Sequence, residues 1–180
     1  MSDIVVREAR PEDDEAIGEL LVRAFVESYE RKMPEVQVTE RRKQDLRAVA
    51  AKRAVAKVWV AERGGQVVGT VSLWPPGAQG SEAWIPGACD LRHLAVDGRH
   101  RGGAVSKLLV DEAERCARAL GAKAICLHVR RGAAGVRQVY ERRGYRAEPK
   151  GDLDYRPEVY LEALWLPLPT GSQHDHALGG

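Results

Sequence analysis

Residues 91–120 read LRHLAVDGRHRGGAVSKLLVDEAERCARAL, and the order of the elements turns on this stretch. The apolar run 91–96 predicts a short strand. Asp97 and Gly98 turn the chain, Arg99, His100 and Arg101 follow, and a helix is expected from Gly102 and Gly103 onward. Val105, Leu108, Leu109, Ala113, Cys116, Ala117 and Leu120 recur on one helical face. Gly121 is the stop signal.

The start of this helix is chemically unusual. The positive end of a helix dipole and its unpaired N–H groups favour anions. Three basic residues crowd there instead, and no Ser, Thr, Asp or Asn stands beside Gly102 as a cap. Two glycines permit close approach to the backbone. A phosphate or pyrophosphate would relieve all of these features together. The alternative is a solvated basic loop that opens a core helix.

The chain has 180 residues, 44% of them hydrophobic and 30% charged, which suits one globular domain over 1–169 and a flexible Gly-rich tail over 170–180. No apolar run is long enough for a membrane span. Nor does the start of the chain carry a basic, then apolar leader. Cys89, Cys116 and Cys126 lack metal-site spacing, and they predict reduced core thiols in a cytoplasmic protein with no bound metal. His174 and His176 in the tail are weak metal candidates. The net charge of +2 hides an uneven distribution, +8 over 92–150 and −6 over the rest, so the middle of the chain is expected to meet an anion. With 6% aromatics and no nucleic-acid motif, a nucleic-acid partner is not expected.

In chain order, 4–7 predicts a strand, and Pro11 opens a helix with Ala16, Ile17, Leu20, Leu21, Ala24 and Phe25 inward. A second helix is expected over 39–54. Residues 57–62 and 67–74 predict a hairpin about Gly64 and Gly65. A long Gly/Pro loop, 75–88, carries Trp84. Further strands are expected at 124–129, 145–149 and 159–166, with a helix over 133–143 closed by Gly144. The strand–helix–strand passage through 91–129 implies a parallel pair. Neither G-x-G-x-x-G nor G-x-x-x-x-G-K-[ST] occurs.

This order, together with LAVDGRHRGGAVSKLL and VRRGAAGVRQVYERRGY, resembles the GNAT superfamily of N-acetyltransferases over roughly 4–166. Its pyrophosphate signature, [Q/R]-x-x-G-x-[G/A], falls best on Arg101, Gly102, Gly103, Ala104, Val105 and Ser106, with Ala104 and Ser106 where glycine is usual. The second signature, Y-E-x-x-G-[FY], is intact at Tyr140, Glu141, Gly144 and Tyr145. Ala133 stands where the family often has asparagine.

The resemblance implies an α/β fold with a mixed sheet of six to seven strands and about four helices. It implies transfer of an acetyl group from acetyl-CoA to a primary amine, without a metal. The alternative is a catalytically silent acyl-CoA-binding or regulatory module. It places the pyrophosphate on the amides of 102–106 and the pantetheine along the backbone of Leu94, Ala95 and Val96. Tyr140 would protonate the leaving thiolate, unless it merely packs beside Val136 and Val139. His128 and Asp90 occupy positions where related branches keep a base, and strand alternation sets Cys126, His128 and Arg130 opposite Ile125, Leu127 and Val129. His93 and His100 are expected to be structural or exposed. Trp84, Asp152, Asp154 and Tyr155 are candidates for the acceptor site, and a homodimer is left open.

Overall fold

The structure, a computed structural model, describes residues 3–100 and 103–169. Its strands are β1 (Ile4–Glu8), β2 (Lys57–Arg63), β3 (Gln66–Trp74), β4 (Cys89–Val96), β5 (Ala124–Arg130), β6 (Arg146–Ala147), β7 (Leu153–Tyr155) and β8 (Val159–Pro167). The helices are α1 (Asp14–Lys32), α2 (Glu40–Arg47), α3 (Val49–Val55), α4 (Val105–Ala119) and α5 (Ala134–Arg142). One sheet runs in the order β1-β2-β3-β4-β5-β8-β6, with β7 also on β8. Within it only β4 and β5 are parallel, joined through α4 as expected.

The β2–β3 hairpin closes on Gly64 (φ 57°) and Gly65 (φ 78°). Two successive positive φ values match the twist of the flanking strands, and glycine adopts them without steric cost. The sheet is two-sided. Ile17, Leu20 and Leu21 of α1, with Leu46 and Val49, bury one face over Val58 and Val60. Val105, Leu109 and Ala113 of α4 bury the other over Leu73, Leu91 and Leu127. Each fully buried large aliphatic side chain contributes roughly 1.5–3 kcal/mol by leaving water. Leu120, expected on the buried stripe of α4, is 45% exposed, because the helix ends at Ala119 and the chain turns away; Val110 is buried instead.

The helix expected over 39–54 is two. Thr39 caps α2, its Oγ1 accepting from the Arg42 N–H at 3.2 Å. The helix then breaks at Ala48 (ψ 53°). Just before the break the helix crosses α1 closely. Gly18 lies so near Arg47 that a Cβ on Gly18 would stand 3.2 Å from the Arg47 Cα. Leu46 before the break and Val49 after it are both buried. Ion pairs of Arg47 with Glu19 (2.9 Å) and Arg53 with Asp14 (2.6 Å) hold α2 and α3 to α1. Eight strands rather than six or seven form because the second edge of β8 serves twice. Leu164 and Trp165 pair with β6, whereas Val159 to Leu161 pair with β7.

Gly69 on β3 seats α4. A Cβ there would lie 2.7 Å from Val105 Cγ1 and 2.9 Å from Leu109 Cδ1. Gly69→Ala is therefore expected to destabilise the fold by about 1–3 kcal/mol through overpacking, read as a lower urea midpoint. An unchanged midpoint would show that α4 shifts without cost.

Candidate active site

The parallel pairing ends early. Cys89 faces Ile125, Asp90 faces Cys126 and Leu91 faces Leu127. Beyond them β4 continues to Val96 and β5 to Arg130, and the two part. β5 stays on β8 along its whole length. β4 stays on β3 but carries a bulge, since Ser72 pairs with Arg92 while Thr70 pairs with Ala95. The extra residue sits at His93–Leu94, and His93 has φ 58°, the one positive value at a non-glycine among the described residues. An inserted residue inverts the alternation that follows it. Leu94 and Val96 consequently join the α4 side of the sheet, and Ala95 packs with the α1 side.

At the end of β4 the chain makes a helical turn, Gly98–His100, before α4. Asp97 accepts from the backbone and side chain of Arg99 at 3.0 and 3.3 Å, and these bonds hold its carboxyl below the ordinary range. His100 Nδ1 lies 2.9 Å from Arg63. Among the described residues no side chain caps α4, and Ala104 stands at its N-cap. Gly103 and Ala104 are exposed, Val105 is buried and Ser106 half-buried. A Cβ on Gly103 would have room, its nearest neighbour being the His100 carbonyl at 3.7 Å. Arg101 and Gly102 lie outside the described residues, as do His174 and His176. A cavity of about 490 Å³ opens beside this turn, between Arg23 and Glu27 of α1 and the segment from Val96 to Arg99.

Tyr140 projects from α5 into the core that Leu94 and Val96 pack against, 4% exposed, with its ring edge-on to Tyr145 at 5.3 Å. Burial raises its phenol well above the ordinary range, so it stays protonated at neutral pH. Val136 and Val139 are each 43% exposed, whereas Tyr140 belongs to the buried core. The setting of α5 is fixed from α4. Arg143 donates to both carboxylate oxygens of Glu114 (3.0 and 2.9 Å) and to Asp111 (2.6 Å), and the Tyr145 hydroxyl donates to Glu114 (3.3 Å).

On the opposite face Asp90 is fully buried beside Cys126, and His128 follows two residues on. The Asp90 Oδ2 accepts from Arg92 Nε (2.7 Å) and from the Glu82 N–H (2.8 Å). Arg92 also reaches the Gly80 carbonyl and lies 3.5 Å from the Glu82 carboxylate. His128 Nε2 lies 2.8 Å from the Gly151 carbonyl, which assigns the proton to Nε2 and the lone pair to Nδ1. That Nδ1 is 3.9 Å from Glu82 Oε2. Trp84 stands edge-on to His128 at 5.3 Å and covers Gly151 so closely that no Cβ fits there. Asp90 Oδ1, His128 Nδ1 and Trp84 Nε1 are buried polar atoms without a hydrogen-bond partner among the described residues.

Further along this face His93 Nδ1 accepts from Lys52 Nζ at 3.1 Å. Lys52 is 9% exposed. Burial lowers its ammonium to about 8, aided by the charges of Arg42 and Arg92 and opposed by Asp14. Burial, with Lys52, Arg42 and Arg92, holds His93 well below the ordinary imidazole range, so it is neutral. Phe25 and Trp74 meet the His93 ring edge-on at 6.4 and 6.0 Å. Arg42 stacks over Phe25 (5.6 Å) and Arg92 over Trp74 (4.2 Å).

Of the residues singled out in the sequence, Asp90, His128 and Trp84 meet at one place. Asp152, Asp154 and Tyr155 do not join them. Asp152 accepts from Tyr160 (2.7 Å) and from the Ala163 N–H (2.8 Å). Asp154 pairs with Arg156, which lowers it to about 2, and Tyr155 is 50% exposed. Sequence reading missed Glu82, Arg92 and Lys52, which carry no motif. The bulge did leave a trace, because the apolar positions 89, 91, 94 and 96 break the two-residue period once. Among the described residues no cluster of His, Cys, Asp and Glu is placed to hold a metal ion, the three cysteines are buried and free, and no helix is long and apolar enough to cross a membrane.

An open parallel pair beside an uncapped helix start, with a buried phenol beneath, defines the class. The profile of the Acetyltransferase (GNAT) family matches residues 15–145, and the chain belongs to that family. No curated protein matches it in sequence. Among solved structures it is similar to an acetyltransferase of the GNAT family from Staphylococcus aureus Mu50, with 18% identity, 92% of this chain and 99% of that one covered, and a TM-score of 0.70. It is also similar to the ribosomal-protein-alanine N-acetyltransferase of Brucella melitensis (23% identity, 91% and 99% covered, TM-score 0.63). A third is the PaiA N-acetyltransferase of Thermoplasma acidophilum in complex with coenzyme A (16%, 89% and 98%, TM-score 0.66). At such low identity these likenesses speak for the fold alone, which is that of the GNAT acetyltransferases.

The depressed Lys52 has a consequence for stability. Between pH 8 and 10.5 the unfolded chain binds more protons at this residue than the folded one, so its contribution to stability rises with pH across that window. Lys52→Met removes that slope. At pH 8 and below it is expected to be more stable than wild type by ~1–3 kcal/mol, the gap closing toward pH 10.5. Thermal melts of both proteins across this range check it, and parallel curves would contradict it.

Proposed function

We propose that this protein transfers the acetyl group of acetyl-CoA to a primary amine by direct attack in a ternary complex. The observation that carries the reading is the parting of β4 from β5 after Leu91 and Leu127, because it opens the β5-facing edge of β4 along Leu94, Ala95 and Val96 while the other edge stays on β3. The uncapped first turn of α4 continues from the same end of β4. That the Thermoplasma neighbour is described with coenzyme A, and the Brucella one as acting on a ribosomal-protein alanine, supports the thioester and the amine.

In this reading the N–H groups of Gly103, Ala104, Val105 and Ser106 hold the pyrophosphate, with Arg101 and Gly102 completing the motif in sequence. The small side chains of Ala104 and Ser106 take the place of glycine there. Backbone groups of Leu94, Ala95 and Val96 align the pantetheine arm, and an N–H at the bulge polarises the thioester carbonyl. The amine nitrogen bonds to the carbonyl carbon, the C–S bond breaks, and the Tyr140 hydroxyl gives its proton to the departing sulfur. A tyrosinate in this buried site is costly, so proton return from solvent completes the cycle. His128 Nδ1 takes the proton lost by the amine. Glu82 stabilises the imidazolium so formed, and the Gly151 carbonyl keeps the other N–H engaged. Asp90, held by Arg92, sets Glu82 in place through the Glu82 N–H. A silent acyl-CoA-binding module would have no use for a phenol so placed. The buried free thiols fit the reducing interior of a cell.

Two measurements test this. Gly103 has room for a side chain, so Gly103→Asp should fold while placing bulk and negative charge at the pyrophosphate. Calorimetry is expected to show CoA affinity at least ~10-fold weaker, and unchanged affinity would remove the pyrophosphate from this turn. Tyr140→Phe and His128→Gln are each expected to lower kcat by ~10²-fold or more, with little change in CoA affinity. The readout is thiol release across a panel of amines. Glutamine can still donate to Gly151 but cannot take the proton, so His128→Gln should also lose the rise of kcat/KM with pH that the base imposes. Near-normal turnover in either variant would return that residue to a packing role.

A further inference from the structure

The acceptor side of the sheet has two unlike ends. At one, the carboxylates of Asp90 and Glu82 surround Arg92 and reach toward His128. At the other, Lys52, Arg42 and neutral His93 meet. Among the described residues no carboxylate lies within ion-pairing distance of Lys52, and its hydrogen bond goes to an uncharged imidazole. The nearby charges of Arg42 and Arg92 repel it, and Asp14 alone opposes them. Arg42 lies over the Phe25 ring, its guanidinium carbon 5.6 Å from the ring centroid. A buried, unpaired ammonium beside a second cation is costly to a fold unless something anionic visits it. The place is the bulge itself, since His93 precedes Leu94 and is walled by Phe25 and Trp74. We propose that Lys52 and Arg42, with His93 orienting the Lys52 ammonium, form a carboxylate subsite, and that the acceptor is a small zwitterion of the amino-acid type. Its amine lies toward Glu82 and His128 and its carboxylate toward Lys52.

This rests on the amine-acetylating function proposed above, and the experiment separates the two. The full-length protein is assayed for thiol release with acetyl-CoA and the proteinogenic amino acids, each beside its own carboxamide. Wild type is expected to favour the best carboxylate over its carboxamide by at least ~10-fold in kcat/KM, mostly through KM. Lys52→Met and Arg42→Gln should abolish that preference while leaving the carboxamide within about 2-fold of wild type. Arg42 is exposed, so its variant tests the subsite without altering the buried core. A readout without turnover is the imidazole resonance of His93, assigned through His93→Gln and titrated with the same amino acid and carboxamide. A shift specific to the carboxylate and lost in Arg42→Gln supports the subsite. Turnover of amines with no carboxylate preference, or with a preference both variants keep, overturns the subsite and leaves acetyl transfer standing. A carboxylate-specific shift without turnover of any amine keeps the subsite and overturns the transfer. Absence of both removes both.

Discussion

The site depends on a hydrogen-bond ladder that stops. Three residue pairs join β4 to β5, and then the strands separate while each keeps its outer neighbour. Buried backbone groups rarely go without partners, because each unmade bond costs ~1–3 kcal/mol. The bulge at His93 adds a second constraint. Its left-handed backbone costs of order 1–3 kcal/mol at a non-glycine residue, and it inverts the facing of Leu94, Ala95 and Val96. Burial of Leu94 and Val96 on one face and of Ala95 on the other holds the strained residue in place.

Everything else in the site is held against that opening. Gly69 lets α4 lie directly on β3, so the helix starts where β4 ends. Glu114 and Asp111 on α4 grip Arg143, which orients α5 and turns Tyr140 inward while Val136 and Val139 face solvent. Across the sheet the loop between β3 and β4 is drawn down by Asp90, through the Glu82 N–H and through Arg92, which bonds the Gly80 carbonyl. Trp84 then covers His128 and Gly151. The phenol and the imidazole thus sit on opposite faces of one open strand pair.

The charge pattern follows the same division. The basic excess over 92–150 is spread over both faces, and much of it is consumed internally, as in Arg143 with Glu114 and Arg92 with Asp90. The net-charge asymmetry is therefore a weak guide to a ligand. Lys52 is more informative because its charge is left uncompensated while it is buried.

The order of the elements, the two faces of α4, the hairpin at Gly64-Gly65 and the signature around Tyr140 are legible in the sequence, because each is written in spacing within a single element. The irregular period 89, 91, 94, 96 even records the bulge. Tertiary structure alone decided the rest. Lys52 meets His93 across 41 residues, and His128 meets Gly151 across 23. Glu82 reaches Asp90 and His128 from a loop whose composition predicts only irregularity. The break at Ala48 and the close crossing of α2 with α1 at Gly18 are announced by no helical period. Local periodicity reports which face of an element is buried. It carries no record of which distant side chain will be buried against it, and the chemistry of this site is made from those distant pairs.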